Sequence, residues 1–101
     1  MSYDTRKLLT IVTEASLERE IIRTIELLGV AGYTFTNARG GGRRGRRGAA
    51  WEHDTNIRVE IVCERALALQ VTKQLRATFF DDYAMVIWLQ DVEVLRPDQF
   101  V

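Results

Sequence analysis

The sequence predicts an α+β fold, a four-stranded antiparallel sheet with two helices on one face. Three observations carry that expectation. Short β-branched apolar runs alternate with two longer segments of helical periodicity, in the order β-α-β-β-α-β. The 101 residues suffice for one domain, which buries about two-thirds of its unfolded surface. Apolar residues at 47% and charged residues at 28% are the proportions of a globular chain, not a disordered one.

Residues 7–13 (Lys-Leu-Leu-Thr-Ile-Val-Thr) read as the first strand. Ser16 stands where a helix cap belongs, with Glu18 and Glu20 in the first turn, where the helix dipole favours them. Leu17, Ile21, Ile25 and Leu28 recur at helical spacing, and Gly29 follows as the stop. Residues 33–36 form a second strand entered through Gly32. Residues 56–63 form a third, with Ile57, Val59, Ile61 and Cys63 on one face and Arg58, Glu60 and Val62 on the other. Leu67, Val71, Leu75 and Phe79 mark the second helix, Asp81 and Asp82 end it, and residues 85–95 supply a long last strand. This order is the ferredoxin-like arrangement. The six residues from Arg96 onward are too few for a further unit, so residues 1–101 are expected to form a single domain. Trp88, Val86 and Val62 stand among polar neighbours, and a sheet face carrying them suits self-association.

Composition also excludes functions. No apolar run approaches the roughly 20 residues that span a bilayer, and the first residues carry no secretory pattern. Cys63 is the only cysteine, which rules out an intramolecular disulfide and suits a reducing cytoplasm. With one cysteine and one histidine, a dedicated zinc cage within one chain is excluded, and no metal site is expected.

The balance of 14 basic and 14 acidic residues hides an asymmetry. Residues 39–48 hold five arginines, five glycines and no acid, so the remainder carries 9 basic against 14 acidic residues. Glycines let successive backbone N–H groups converge on an anion, and arginines add forked, permanently charged donors. The chemistry implied is phosphate holding. A nucleotide P-loop is excluded, because Arg46 and Arg47 stand where it needs Lys and Ser/Thr. An RNA-binding module using the Arg/Gly segment is the alternative reading. Such modules stack bases on aromatics of the first and third strands, and residues 7–13 and 56–63 contain none. Catalysis is not expected: His53 lies between Glu52 and Asp54 with no nucleophile–base pair in view, and Cys63 alternates with the apolar strand face. Trp51 is a candidate for partner docking or for anchoring the loop.

Several stretches together resemble the PII signalling superfamily over nearly the whole chain. They are Gly29-Val-Ala-Gly-Tyr-Thr34, the Gly/Arg segment, Asn56-Ile-Arg-Val-Glu-Ile-Val62, and Phe79-Phe-Asp-Asp-Tyr-Ala84. The last is similar to the Phe-Phe-x-Asp-Tyr-Ala stretch of the inorganic-carbon branch, the SbtB-like and carboxysome-associated PII proteins. The resemblance implies a PII-like homotrimer with sheets facing inward and adenine nucleotides bound between subunits. Residues 38–55 then correspond to the family's T-loop. Carried over by position, Gly32 and Thr34 line the nucleotide pocket, with Gly40 and Arg43 at the loop base. Arg44 and Arg47 match phosphate-holding arginines of the carbon-linked branch, Glu60 and Val62 match strand positions near adenine, and Arg96 matches a phosphate-binding arginine of ordinary PII proteins.

The departures from that pattern shape the expected ligand. Ala84-Met85 occupies the place of the glycine-lysine turn of ordinary PII proteins, removing one cation. This favours AMP, ADP or cyclic AMP over ATP held with magnesium and 2-oxoglutarate. Residues 38–55 contain no tyrosine, which argues against uridylylation, and no cysteine pair follows Pro97. The function expected is a non-catalytic sensor of adenine nucleotides, with bicarbonate as a candidate second ligand. Its expected target is a bicarbonate transporter or a carboxysome-related protein. Its expected location is the cytoplasm, with recruitment to a transporter or carboxysome and no membrane insertion of its own.

Overall fold

A computed structural model describes residues 4–42, 45–46 and 56–101. The elements are β1 (Asp4–Glu14), α1 (Glu18–Leu27), β2 (Thr34–Ala38), β3 (Gly41–Gly42), β4 (Gly45–Arg46), β5 (Asn56–Cys63), α2 (Arg65–Phe79) and β6 (Val86–Val94). Single 3₁₀ turns at Ala15–Leu17 and Pro97–Gln99 follow β1 and β6. The main sheet has the order β2-β5-β1-β6, with every neighbour antiparallel. This is the predicted α+β, ferredoxin-like sheet with its two helices.

Alternation within β1 and β5 sorts the side chains between two faces. Leu9 and Ile11 from β1 and Ile57, Val59, Ile61 and Cys63 from β5 are buried in the core. They meet Ile21 and Ile25 of α1 and Val71, Leu75 and Phe79 of α2, the residues whose helical spacing marked the inner faces. The intervening residues of β1, Leu8, Thr10 and Val12, pair in register with Val62, Glu60 and Arg58 of β5. On the other side they pair with Gln90, Trp88 and Val86 of β6. That face carries no helix, and Val86 and Trp88 remain 40% and 39% exposed on it. A trimer, consistent with the fold, would cover it.

Local differences from expectation have physical reasons. Ser16 does not cap α1: it lies within the 3₁₀ turn, and Leu17, with no side-chain cap, stands at the boundary. Glu18 and Glu20 do occupy the first turn. The second strand runs Thr34–Ala38, one residue later at its start and two later at its end than the apolar pattern suggested, because its pairing with β5 runs from Thr34 opposite Glu60 to Ala38 opposite Asn56; Tyr33 packs against the core from the link before it. Within the Gly/Arg segment, β3 and β4 pair antiparallel, Gly41 with Arg46 and Gly42 with Gly45. Glycine-rich pairs of this length carry no apolar alternation by which a sequence could announce them.

The C-terminus of α1 depends on one backbone angle. Gly29 has φ +96°, its N–H donates to the Glu26 carbonyl at 3.0 Å, and the Val30 N–H reaches the Ile25 carbonyl at 3.0 Å. These bonds close a Schellman turn and deliver Val30 to the core. Gly32 has no such angle, and a Cβ added there would meet nothing within 4 Å. Gly29→Ala is therefore expected to lower unfolding free energy by about 1–2 kcal/mol. Gly32→Ala is expected to leave it within about 0.5 kcal/mol, and urea denaturation measures both.

Candidate functional site

A cleft of about 380 Å³ opens where the start of β2, the end of β5 and the last residues of the chain meet. Its volume lies within the roughly 300–1,000 Å³ of small-molecule sites. Four of the residues expected to bind nucleotide, Gly32, Thr34, Glu60 and Val62, line it. Strand register brings them together: Thr34 pairs directly with Glu60 across β2 and β5, and Val62 pairs with Leu8 of β1. Gly32 enters through the extended link between α1 and β2, whose direction the Gly29 turn sets.

The remaining expected residues lie elsewhere. Gly40 follows the opposite end of β2, beyond the roughly 13 Å that separate Thr34 from Ala38 at strand rise. Arg96 adjoins the cleft in sequence, and its carbonyl accepts from the Gln99 N–H at 3.1 Å, but its side chain is exposed and forms no part of the wall. Arg43, Arg44, Arg47 and Trp51, together with Glu52, His53 and Asp54, lie outside the described residues.

The cleft's electrostatics are distinctive. Its described lining contains one acid, Glu60, and no lysine or arginine. Glu60 Oε2 lies 3.6 Å from Arg58 Nη2, and the Arg58 guanidinium stacks 5.6 Å from the centroid of the Trp88 ring. The pair is partly solvent-exposed, so it contributes only ~0–1 kcal/mol. Its chemical consequence is orientation: Arg58 is drawn across the open face, while Glu60 keeps acceptor capacity towards the cleft. Thr10, between Glu60 and Trp88 in register, is fully buried, and its hydroxyl has no hydrogen-bond partner among the described residues.

Tyr33 and Cys63 also line the cleft. The Tyr33 hydroxyl donates to the Glu26 carboxylate at 3.1 Å, and that bond raises its pKa above the ordinary phenol value, with desolvation and the same carboxylate's charge adding to it. Its ring meets Phe35 edge to face at 5.4 Å, which holds the link residues in place. Burial, then the adjacent Glu64, pushes the Cys63 thiol up, so it stays neutral at the wall and behaves as a small apolar group.

The sequence reading missed the third wall. Gln99, Phe100 and Val101 close the cleft, held against β1 through Arg6. Arg6 Nε donates to the Phe100 carbonyl at 2.8 Å and Nη2 to the Pro97 carbonyl at 3.0 Å. An apolar pair shortly after Pro97 was the available hint; the partner on β1 lies more than ninety positions away and leaves no local spacing.

Two shallower depressions lie on the outer faces of α1 and α2 and include none of the expected residues. Among the described residues no group of three His, Cys, Asp or Glu is placed to hold a metal ion. No described helix is long and apolar enough to cross a membrane.

Comparison with known proteins agrees with this architecture. The family model for nitrogen regulatory protein P-II matches residues 6–99. A Thermus thermophilus protein described as PII-like signaling superposes with a TM-score of 0.84 at 38% identity, covering 100% of both chains. CPII from Thiomonas intermedia K12, a nitrogen regulatory PII-like protein bound to ADP, AMP and bicarbonate, has the same fold at 23% identity. Its TM-score is 0.86, covering 98% of this chain and 96% of that one. The apo form of CPII superposes at 0.76 with 20% identity, covering 92% and 95%. A family match spanning almost the whole sequence, on a sheet and helix order that follows from its own periodicity, makes this chain a member of the P-II family.

Proposed function

We propose that this protein is a non-catalytic PII-like sensor that binds adenine nucleotide in clefts between the subunits of a homotrimer. One observation carries the reading: the cleft gathers Gly32, Thr34, Glu60 and Val62 but has no cation among its described lining. The five arginines of residues 39–48 lie beyond the other end of β2 in the chain. A nucleotide has the same division, an uncharged base and sugar at one end and phosphates at the other. Glu60, an acid, belongs at the base or ribose end, where it accepts from an amine or hydroxyl; beside phosphates it would repel. Val62 supplies apolar contact for the base, and Thr34 a hydroxyl. The backbone beside Gly32 offers N–H and C=O groups with no side chain in the way.

Phosphates are then held by Arg43, Arg44 and Arg47, with Gly40 giving the loop base its close approach and Arg96 adding a cation near the last segment. Because Gly40 and the cleft lie at opposite ends of β2, one site draws its base-binding wall, with Arg96 beside it, from one subunit and its loop arginines from another. The open sheet face of Val86 and Trp88 is the surface on which the subunits meet.

Arginines crowded on one glycine-rich loop repel one another, and bound phosphate relieves that repulsion. Nucleotide therefore selects one conformation of the T-loop, residues 38–55, and exposes or hides a docking surface that includes Trp51. Coupling of about 1–3 kcal/mol is the scale of such a switch. CPII, bound to ADP, AMP and bicarbonate, supports ADP and AMP as the first nucleotides to try, with cyclic AMP and ATP after them, and bicarbonate as a second ligand. A regulator of this kind acts on a carbon-uptake or carboxysome-related partner from the cytoplasm.

Calorimetric titration of AMP, ADP, ATP and cyclic AMP, each with and without bicarbonate, tests the reading. The expected result is micromolar binding near one nucleotide per chain, altered by bicarbonate. No binding of any mononucleotide, with tight and strongly salt-dependent binding of RNA, would replace it with the RNA-binding alternative. Arg44→Ala and Arg47→Ala are each expected to weaken nucleotide binding by about 1.5–3 kcal/mol, the scale of charge-assisted hydrogen bonds. Unchanged affinity in both variants would remove the arginines from the site.

A further inference from the structure

We infer that Arg6 is a positioning residue for the nucleotide cleft: it holds the last segment of the chain in place as the cleft's third wall. The inference rests on the nucleotide reading above. The Arg6 side chain is only 13% exposed. Its fork spends one donor on the Phe100 carbonyl at 2.8 Å, one on the Pro97 carbonyl at 3.0 Å and one on the Thr5 carbonyl at 3.1 Å. The carboxylates of Asp4 and Glu64 each lie 3.9 Å away and balance its charge. Glu64 follows Cys63, itself in the cleft wall, so one guanidinium ties β1, the junction of β5 with α2, and the last segment together.

The segment needs such a tie. Pro97–Gln99 is a single 3₁₀ turn, closed by the Gln99 N–H to Arg96 carbonyl and Phe100 N–H to Pro97 carbonyl bonds, both 3.1 Å. A turn of that length does not hold itself. Arg6 is absent from the cleft lining, so it acts on a ligand only through Gln99, Phe100 and Val101. Linkage is reciprocal: a ligand resting on that wall tightens the segment, and loosening the segment weakens the ligand.

The test uses the full chain as wild type, Arg6→Gln, Arg6→Lys, Phe100→Ala and the Arg6→Gln/Phe100→Ala double variant. Hydrogen exchange is read without and with ADP, and ADP affinity by calorimetry. In Arg6→Gln, the Gln99 and Phe100 amides are expected to exchange faster while the β5 amides keep their protection, showing an intact fold. ADP affinity is expected to fall on the order of tenfold. Arg6→Lys is expected to restore only part, since one ammonium cannot reproduce the fork. Phe100→Ala is expected to weaken ADP in the wild-type background and to add little in the Arg6→Gln background, because the wall has already been released.

Fully additive losses, unaltered exchange of the segment, or a loosened segment with unchanged ADP affinity would each overturn the role of Arg6. Failure of the wild-type chain to bind ADP is a different result, and overturns the nucleotide reading itself.

Discussion

The pairing of β1 with β5 is the constraint on which the rest of the structure depends. β1 is one of the two inner strands, paired with β5 from Lys7 to Glu14 and with β6 from Asp4 to Val12. Its register decides which side chains face the helices. Leu9 opposite Ile61 and Ile11 opposite Val59 fill the core, while Leu8 opposite Val62 and Thr10 opposite Glu60 face away. A slip of one residue would bury Arg58 and Glu60 under the helices and expose four apolar groups of β5, so the register is strongly specified. The same register puts Val62 beside Leu8, and the pairing of β2 with β5 puts Glu60 beside Thr34, so two walls of the cleft come from the strand pairings of the main sheet.

The described cleft lining and the arginine-rich segment differ sharply in charge. The described cleft lining has no basic residue, whereas residues 39–48 concentrate five arginines among glycines. Several cations gathered in a closed pocket would lose hydration and repel one another when no ligand is bound. On a glycine-rich segment they are proposed to stay hydrated until an anion collects them. In that reading specificity for the base resides in the folded sheet, and response to phosphate resides in the loop. The last segment joins the first of these two parts, tied by hydrogen bonds from Arg6 to backbone carbonyls, contacts that no side-chain pattern encodes.

Much of the fold was legible from residue spacing. The third strand runs over the residues that alternation marked, Asn56–Cys63, and Val71, Leu75 and Phe79 are buried as their helical spacing requires. Gly29 stops α1 with a positive φ, as a glycine in that place suggests. Ser16 was misread because capping residues are recognised by type, and a 3₁₀ turn between β1 and α1 moves the boundary past it. The short pair of β3 and β4 had no signal, since glycine and arginine there carry neither alternation nor β-branching.

Sequence alone determined the order of the four main strands and two helices, the inner faces of both helices and of β5, and the concentration of charge in one segment, because all of these are local periodicities or compositions. Resemblance put Gly32, Thr34, Glu60 and Val62 at one nucleotide pocket without saying which of them pair or what else lines it. Tertiary structure decided that. It paired Thr34 with Glu60, left Arg96 beside the cleft but out of its lining, set Gly40 at the far end of β2, and brought Phe100 against Arg6 from the other end of the chain. The physical reason is range: periodicity reports which side of its own element a residue takes. Which residues meet across elements depends on strand order, register and hydrogen bonds to backbone carbonyls, and these exist only once the chain has closed on itself.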